Sequence, residues 1–204
     1  MQNIKAIIFD LGGVLIDLDF KKVNSSFNAL GVDKFDEIFT QHKSDLIFEN
    51  LEVGKISEED FCSALIKYTI KPVTNEDVTK AWNSILLDFR LDSLSYLKQL
   101  KNKYKLFLLS NTNVIHQVAF NKIFENTIEK SSFNSLFDKA YYSHEIGLRK
   151  PDAAAYQYVL NENRLQPQET LFIDDTPGNI EGAKAVGMPT ILLTKGMKIE
   201  NLGL

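Results

Sequence analysis

Four short segments between residues 7 and 176 constrain this chain more than anything else in it: Ile7-Ile8-Phe9-Asp10-Leu11-Gly12-Gly13-Val14, Phe107-Leu108-Leu109-Ser110-Asn111-Thr112, Gly147-Leu148-Arg149-Lys150-Pro151-Asp152 and Leu171-Phe172-Ile173-Asp174-Asp175-Thr176. In three of them an apolar run suited to a strand buried on both faces stops at a polar residue. The polar residue then lies at the carboxyl end of the strand, where open α/β sheets keep their sites.

Short apolar or aromatic runs at residues 4–9, 105–109, 139–143, 170–173 and 189–193 have strand length, and most are separated by amphipathic stretches of helix length. Leu94, Leu97 and Leu100 recur at three-residue steps behind Asp92 or Ser93 as N-cap. Ala153, Tyr156 and Leu160 follow Pro151, which is expected in a first turn. The alternation predicts an α/β fold with a Rossmann-like parallel sheet and right-handed crossovers. The first crossover differs, because residues 11–104 read as helix throughout, with candidates at 20–30, 34–49, 57–68 and 75–87. Ser57 and Asp60 form a capping-box pattern at the third. A helical insertion over residues 17–88, with linkers near 17–19 and 87–90, would divide a core of residues 1–16 and 89–204.

A chain of 204 residues with 44% apolar and 25% charged residues can build a proper core. Its formal charge of −4 provides no basic footprint, which speaks against a nucleic-acid partner. Cys62 is the single cysteine, so an internal disulfide is excluded and a reducing cytoplasm is expected. Residues 4–18 have the apolarity of a signal-peptide core, but Asp10, Asp17 and the Gly12-Gly13 pair interrupt them. No apolar run approaches the roughly 18 residues of a membrane span.

Taken singly, each polar residue has an ordinary role. Asp10 and Ser110 can cap helices, and Lys150 can be a solvated surface charge. Taken together, their order suggests a magnesium and phosphate site. Asp10 stands beside a Gly-Gly loop that lets an anion approach closely. Asp174 and Asp175 repel each other unless a cation lies between them, and magnesium is the natural one.

With these residues the chain resembles the haloacid dehalogenase (HAD) superfamily of phosphohydrolases, and Ser110-Asn111-Thr112-Asn113, Leu148-Arg149-Lys150-Pro151 and Asp174-Asp175 with Asn179-Ile180 resemble its bacterial glucose-1-phosphate phosphatase subgroup. The helical insertion resembles the C1-type cap of that family. The resemblance implies that Asp10 attacks phosphorus to form an aspartyl phosphate. It also implies that Asp10, the Gly12 carbonyl and Asp175 hold Mg2+ with Asp174 nearby, that Ser110, Asn111, Gly12 and Gly13 cradle the phosphate, and that Lys150 neutralises it. The expected partner is a small phosphorylated metabolite.

One position departs from the family. Gly12 stands where most of its phosphatases carry an acid–base Asp, which handicaps poor leaving groups. Two rival functions follow: a degenerate fold member that binds a phosphorylated ligand without turnover, and a haloacid dehalogenase, against which the Asp174-Asp175 pair argues. Asp17 and Asp19 are either stand-ins for the missing acid or linker charges. His116, six positions after Ser110, is a candidate for substrate contact, and so is Arg149, with surface pairing as its alternative. His42 and His144 are expected to be structural, and Trp82 with Ile85, Leu86 and Phe89 to be core of the insertion. Residues 49–55 read either as a specificity loop or as a plain turn.

Overall fold

The structure is a computed structural model that describes residues 3–39, 45–128 and 132–204. His42 lies outside the described residues. Strand β1 (Ala6–Phe9) leads through the Gly-Gly loop into β2 (Ile16–Leu18). Helices α1 (Phe20–Ala29), α2 (Phe35–Ile38), α3 (Leu46–Glu52), α4 (Glu58–Ile66) and α5 (Asn75–Asn83) follow, and β3 (Leu86–Phe89) returns the chain to the sheet. The remainder alternates: α6 (Leu91–Leu100), β4 (Lys105–Ser110), α7 (Val114–Thr127), β5 (Lys139–Tyr142), α8 (Ser143–Ile146), α9 (Ala153–Glu162), β6 (Thr170–Asp174), α10 (Pro177–Ala185) and β7 (Thr190–Leu192).

Five strands form one parallel sheet in the order β5-β4-β1-β6-β7. It is covered on both faces, which is why its strands read as nearly continuous apolar runs. On one face Ile7, Phe9, Leu106, Leu108 and Ile173 pack against Leu94, Leu97 and Leu100 of α6 and Phe120 and Phe124 of α7. On the other, Ala6, Ile8, Phe107, Leu109 and Phe172 pack against Tyr156 and Val159 of α9 and Ile180 of α10. Phe9 is level with Leu108 on one side and Ile173 on the other. That register delivers Asp10, Ser110 and Asp174 to a single sheet edge.

All five strands expected of the sheet are present. The region between Asp10 and Lys105 is not wholly helical, however: β2 and β3 pair antiparallel, Ile16 with Phe89 and Leu18 with Leu86, where linkers were expected. Three and four residues are too few to display a period of two, and Leu86 continues the helical spacing of α5. A capping box forms at Ser57 and Asp60 as the pattern predicted, and another at Thr74 and Asp77. Helix α6 begins earlier than expected, with Arg90 rather than Asp92 or Ser93 at its N-cap, and Asp152 takes the N-cap of α9, so Pro151 precedes the first turn.

The insertion has its own core of Val23, Phe27, Phe35, Phe48, Phe61, Leu65, Val78 and Trp82, joined by Ile115 from α7. Phe27 and Phe35 stack with centroids 4.0 Å apart, and Trp82 lies 5.3 Å from both Phe48 and Phe61. Trp82 is core, as its spacing predicted. Phe89 is core too, but in the sheet's layer with Phe124 and Phe133. No helix among the described residues is long and apolar enough to cross a membrane.

Candidate active site

Lys150 follows α8 and its side chain is only 1% exposed. Its Nζ donates to Asp10 Oδ1 and Asp174 Oδ2, both at 2.7 Å. Burial disfavours the ammonium, but the two carboxylates outweigh it and hold the Lys150 pKa above its ordinary value. Asn111 fixes the lysine in place: its Nδ2 donates to the Lys150 carbonyl at 2.8 Å, and its Oδ1 accepts from the Lys150 amide at 2.9 Å.

Asp10, Asp174 and Asp175 each offer an oxygen within 4.8 Å of the others. Burial pushes the Asp10 carboxyl up to about 7; Lys150 pulls it down, while Asp174 and Asp175 push it up. Asp175 is raised as well, by burial first and then by Asp174. Three carboxylates facing one ammonium leave an excess of negative charge, and all the donors are hard oxygens, a set that fits magnesium. Asp174 is already occupied: Thr176 N donates to Oδ1 at 2.8 Å, and Asn179 Nδ2 reaches both oxygens at 3.0–3.1 Å. Asp10 takes its bond from Lys150, and Asp175 Oδ1 accepts from Thr176 Oγ1 at 3.2 Å, so all three carboxylates meet protein donors as well as one another.

The Gly-Gly loop is shaped around this cluster. Gly13 has φ +68°, and a Cβ there would run into the Asp175 carboxylate. Its amide does not face a phosphate, as the sequence led us to expect, because it donates to the Ile16 carbonyl at 2.8 Å to close the turn into β2. Ser110 ends β4, buried, and together with Gly12 and Asn111 lines a cavity of about 120 Å³ whose far wall includes Phe20, Glu52 and Trp82 of the insertion.

Two candidates for substrate contact have other partners. His116 Nε2 lies 3.2 Å from the Trp82 carbonyl and Nδ1 lies 3.2 Å from Asn113 Nδ2, a pattern satisfied by a neutral ring protonated at Nε2. The ring stacks on Trp82 at 4.6 Å, and burial lowers its pKa to about 4. His116 therefore latches α7 to α5 rather than offering a nitrogen to substrate. Arg149 bonds Glu49 at 2.8 Å and approaches Glu52 at 3.0 Å, so it ties the core to α3. His144 is structural, its Nε2 lying 3.1 Å from Gln117 Oε1. Asp19 caps α1, and Asp17 pairs with Arg90 at 2.6 Å.

Residues 49–55 are half helix. They carry Glu49 and Glu52 at i,i+3 on one face of α3, and then a turn in which Gly54 packs against the His144 carbonyl. Sequence reasoning did not single out Glu52. The i,i+3 spacing marks a common face, but only the tertiary fold shows which face meets the cavity.

A family model described as haloacid dehalogenase-like hydrolase matches residues 4–187. The chain is similar to D-ribitol-5-phosphate phosphatase of Bacteroides thetaiotaomicron, with 33% identity over 92% of this chain and 90% of the relative. It is also similar to a sesquiterpene phosphatase of Aspergillus oryzae, with 29% identity over 95% of this chain and 91% of that protein. Among solved structures, a HAD family enzyme from Bacteroides thetaiotaomicron, crystallised as a mutant with magnesium and inorganic phosphate, superposes with TM-score 0.92 at 33% identity and 98% coverage of both chains. A dehalogenase superposes with TM-score 0.61 at 19% identity, a likeness of fold alone.

Proposed function

This chain belongs to the haloacid dehalogenase-like hydrolase family, and on that premise we propose that it is a magnesium-dependent phosphatase that hydrolyses a small phosphorylated metabolite through an aspartyl phosphate. The observation that carries the reading is the Lys150 ammonium held between Asp10 and Asp174, with the Asp175 carboxylate beside them. We read residues 17–88 as a cap over a core of residues 1–16 and 89–204.

Asp10 is the nucleophile in this proposal. Its Oδ1 is held by Lys150, which favours the ionised form that attacks phosphorus. Asp10, the Gly12 carbonyl and Asp175 would hold magnesium, and Asp174 would orient Lys150 rather than coordinate directly. Magnesium, when bound, offsets the negative charge that the substrate brings to three carboxylates. Ser110 and the Asn111 amide bind the phosphoryl oxygens, and Lys150 balances charge as the bond to Asp10 forms.

A sugar or polyol phosphate is the substrate class we favour, supported by the similarity to a ribitol-phosphate phosphatase. The charge of −4 supports a small anionic substrate met by placed cations rather than nucleic acid, and the lone buried Cys62 is in keeping with a cytoplasmic location. Gly12 motivates the second reading, phosphate-ligand binding without turnover.

Phosphate release from sugar, polyol, acyl and aryl phosphates, with and without magnesium, tests the proposal. Magnesium-dependent release supports it. Binding of phosphate esters without release supports the second reading, and halide release from a 2-haloacid without magnesium would establish a dehalogenase.

A further inference from the structure

The glycine at position 12 leaves open how a poor leaving group receives its proton. Asp17 and Asp19, the acids nearest to it in sequence, are otherwise employed: Asp17 is bound by Arg90 Nε at 2.8 Å and Nη2 at 2.6 Å, and Asp19 Oδ1 accepts from the amides of Lys21 and Lys22 at the start of α1. His116 has both ring nitrogens on protein partners.

The carboxyl group of Glu52 is placed differently. It ends α3 and lines the same cavity as Gly12, Ser110 and Asn111, where no other Asp or Glu among the described residues contributes to the wall. We propose that Glu52 is the proton donor to the leaving-group oxygen, supplying from the helical insertion the acid that Gly12 lacks; this assignment rests on the phosphatase reading.

The surroundings of Glu52 suit the role. Its side chain is 17% exposed, and Oε2 meets Arg149 Nη2 at 3.0 Å in an ion pair. Burial raises its pKa and Glu49 adds to the rise, against the pull of Arg149 and Lys150. Neutral His116 shares the cavity. Arg149 is shared: Glu49 takes the shorter bond, at 2.8 Å, so the guanidinium charge is divided between the two carboxyl groups.

An Asp10 oxygen bonds to phosphorus as the ester P–O bond breaks, and the Glu52 proton passes to the departing alkoxide, leaving an alcohol, an aspartyl phosphate and the Glu52 carboxylate. In the second half the carboxylate takes a proton from the attacking water while the phosphorus–Asp10 bond breaks. Inorganic phosphate leaves and Glu52 is again protonated.

The test compares kcat/KM for ribitol 5-phosphate, a poor leaving group, with that for 4-nitrophenyl phosphate, which needs no proton, in wild type, Glu52→Gln and Glu49→Gln with magnesium. A proton donor is worth typically about 10²–10⁴-fold, so Glu52→Gln should lower the alkyl ester's value by that factor and the aryl ester's by less than about tenfold, while Glu49→Gln, which keeps the Glu52 carboxyl, should lower the ratio far less. An equal fall for both esters, or no fall, overturns the assignment. Should Glu52→Gln fail to fold, the wild-type pH profile decides: the alkyl-to-aryl ratio falls with rising pH if Glu52 donates, and a flat ratio refutes it. Failure of wild type to release phosphate from either ester would instead remove the phosphatase reading itself.

Discussion

Lys150 Nζ stands 2.7 Å from Asp10 Oδ1, although 140 positions separate the two residues in the chain. The pair is buried, and Asp174 completes it from the neighbouring strand at the same distance. Most of what this site can do follows from that junction of one cation with two carboxylates.

Removing the cation should therefore destabilise the protein as well as inactivate it. Lys150→Met leaves Asp10 and Asp174 buried against each other without a counter-charge, and breaking a buried pair in this way costs about 3–5 kcal/mol. Urea unfolding should show a loss of that order, together with the disappearance of phosphate release. A variant as stable as wild type would mean that the cluster relaxes to admit solvent.

Asp10→Asn should fold normally, because the amide nearly matches the carboxylate in shape and Lys150 keeps Asp174. Its kcat should fall by several orders of magnitude, since an amide is a poor nucleophile. Retention of more than about a tenth of wild-type kcat, roughly 1.4 kcal/mol of barrier, would falsify the covalent route.

Magnesium should raise the melting temperature in a concentration-dependent way, because a ligand bound only by the folded state stabilises it by mass action. Chelation should abolish turnover, and added magnesium should restore it. In Asp175→Asn the thermal shift should be much reduced; a shift equal to that of wild type would place the ion elsewhere.

His116 imposes a pH dependence on stability. Its folded pKa of about 4 lies below the ordinary histidine value of 6.5, so the unfolded chain binds the proton more readily. This contribution is fully present above about pH 6.5 and is lost as pH falls toward 4, a span worth about 3 kcal/mol. Denaturant midpoints between pH 7 and 4 should fall less steeply for His116→Gln than for wild type.

Gly54 docks the insertion on the core. With φ +68° and the His144 carbonyl against its α-carbon, it has no room for a side chain. Gly54→Ala should cost at least about 1 kcal/mol from the backbone conformation alone, and it should lower kcat/KM by displacing the end of α3. Unchanged stability and activity would show that the turn can move freely away from the core.

The parallel sheet was legible in the chain because strands buried on both faces must be apolar throughout, and their polar ends then mark one edge. Asp10, Ser110 and Asp174, with Asp175 after it, stand at those ends, whereas Lys150, which follows α8, stood out only through the family resemblance. The ribbon of β2 and β3 was not, since Ile16–Leu18 and Leu86–Phe89 are too short to carry a period and are held by each other rather than by local preference. The Gly13 amide was expected to face phosphate but serves the turn into that ribbon.

By itself, then, the sequence determined the strand and helix alternation, the helical insertion, and the polar residues gathered at the sheet edge, all of which follow from periodicity and local residue chemistry. Only the tertiary structure decided the partners of His116, Arg149 and Glu52: the first two lock the insertion to the core, and the third pairs with Arg149 and lines the cavity beside Gly12, Ser110 and Asn111. These contacts join elements distant in the chain, and their identity depends on which face of α3 and α5 turns inward, which packing against the rest of the protein sets and no local pattern encodes.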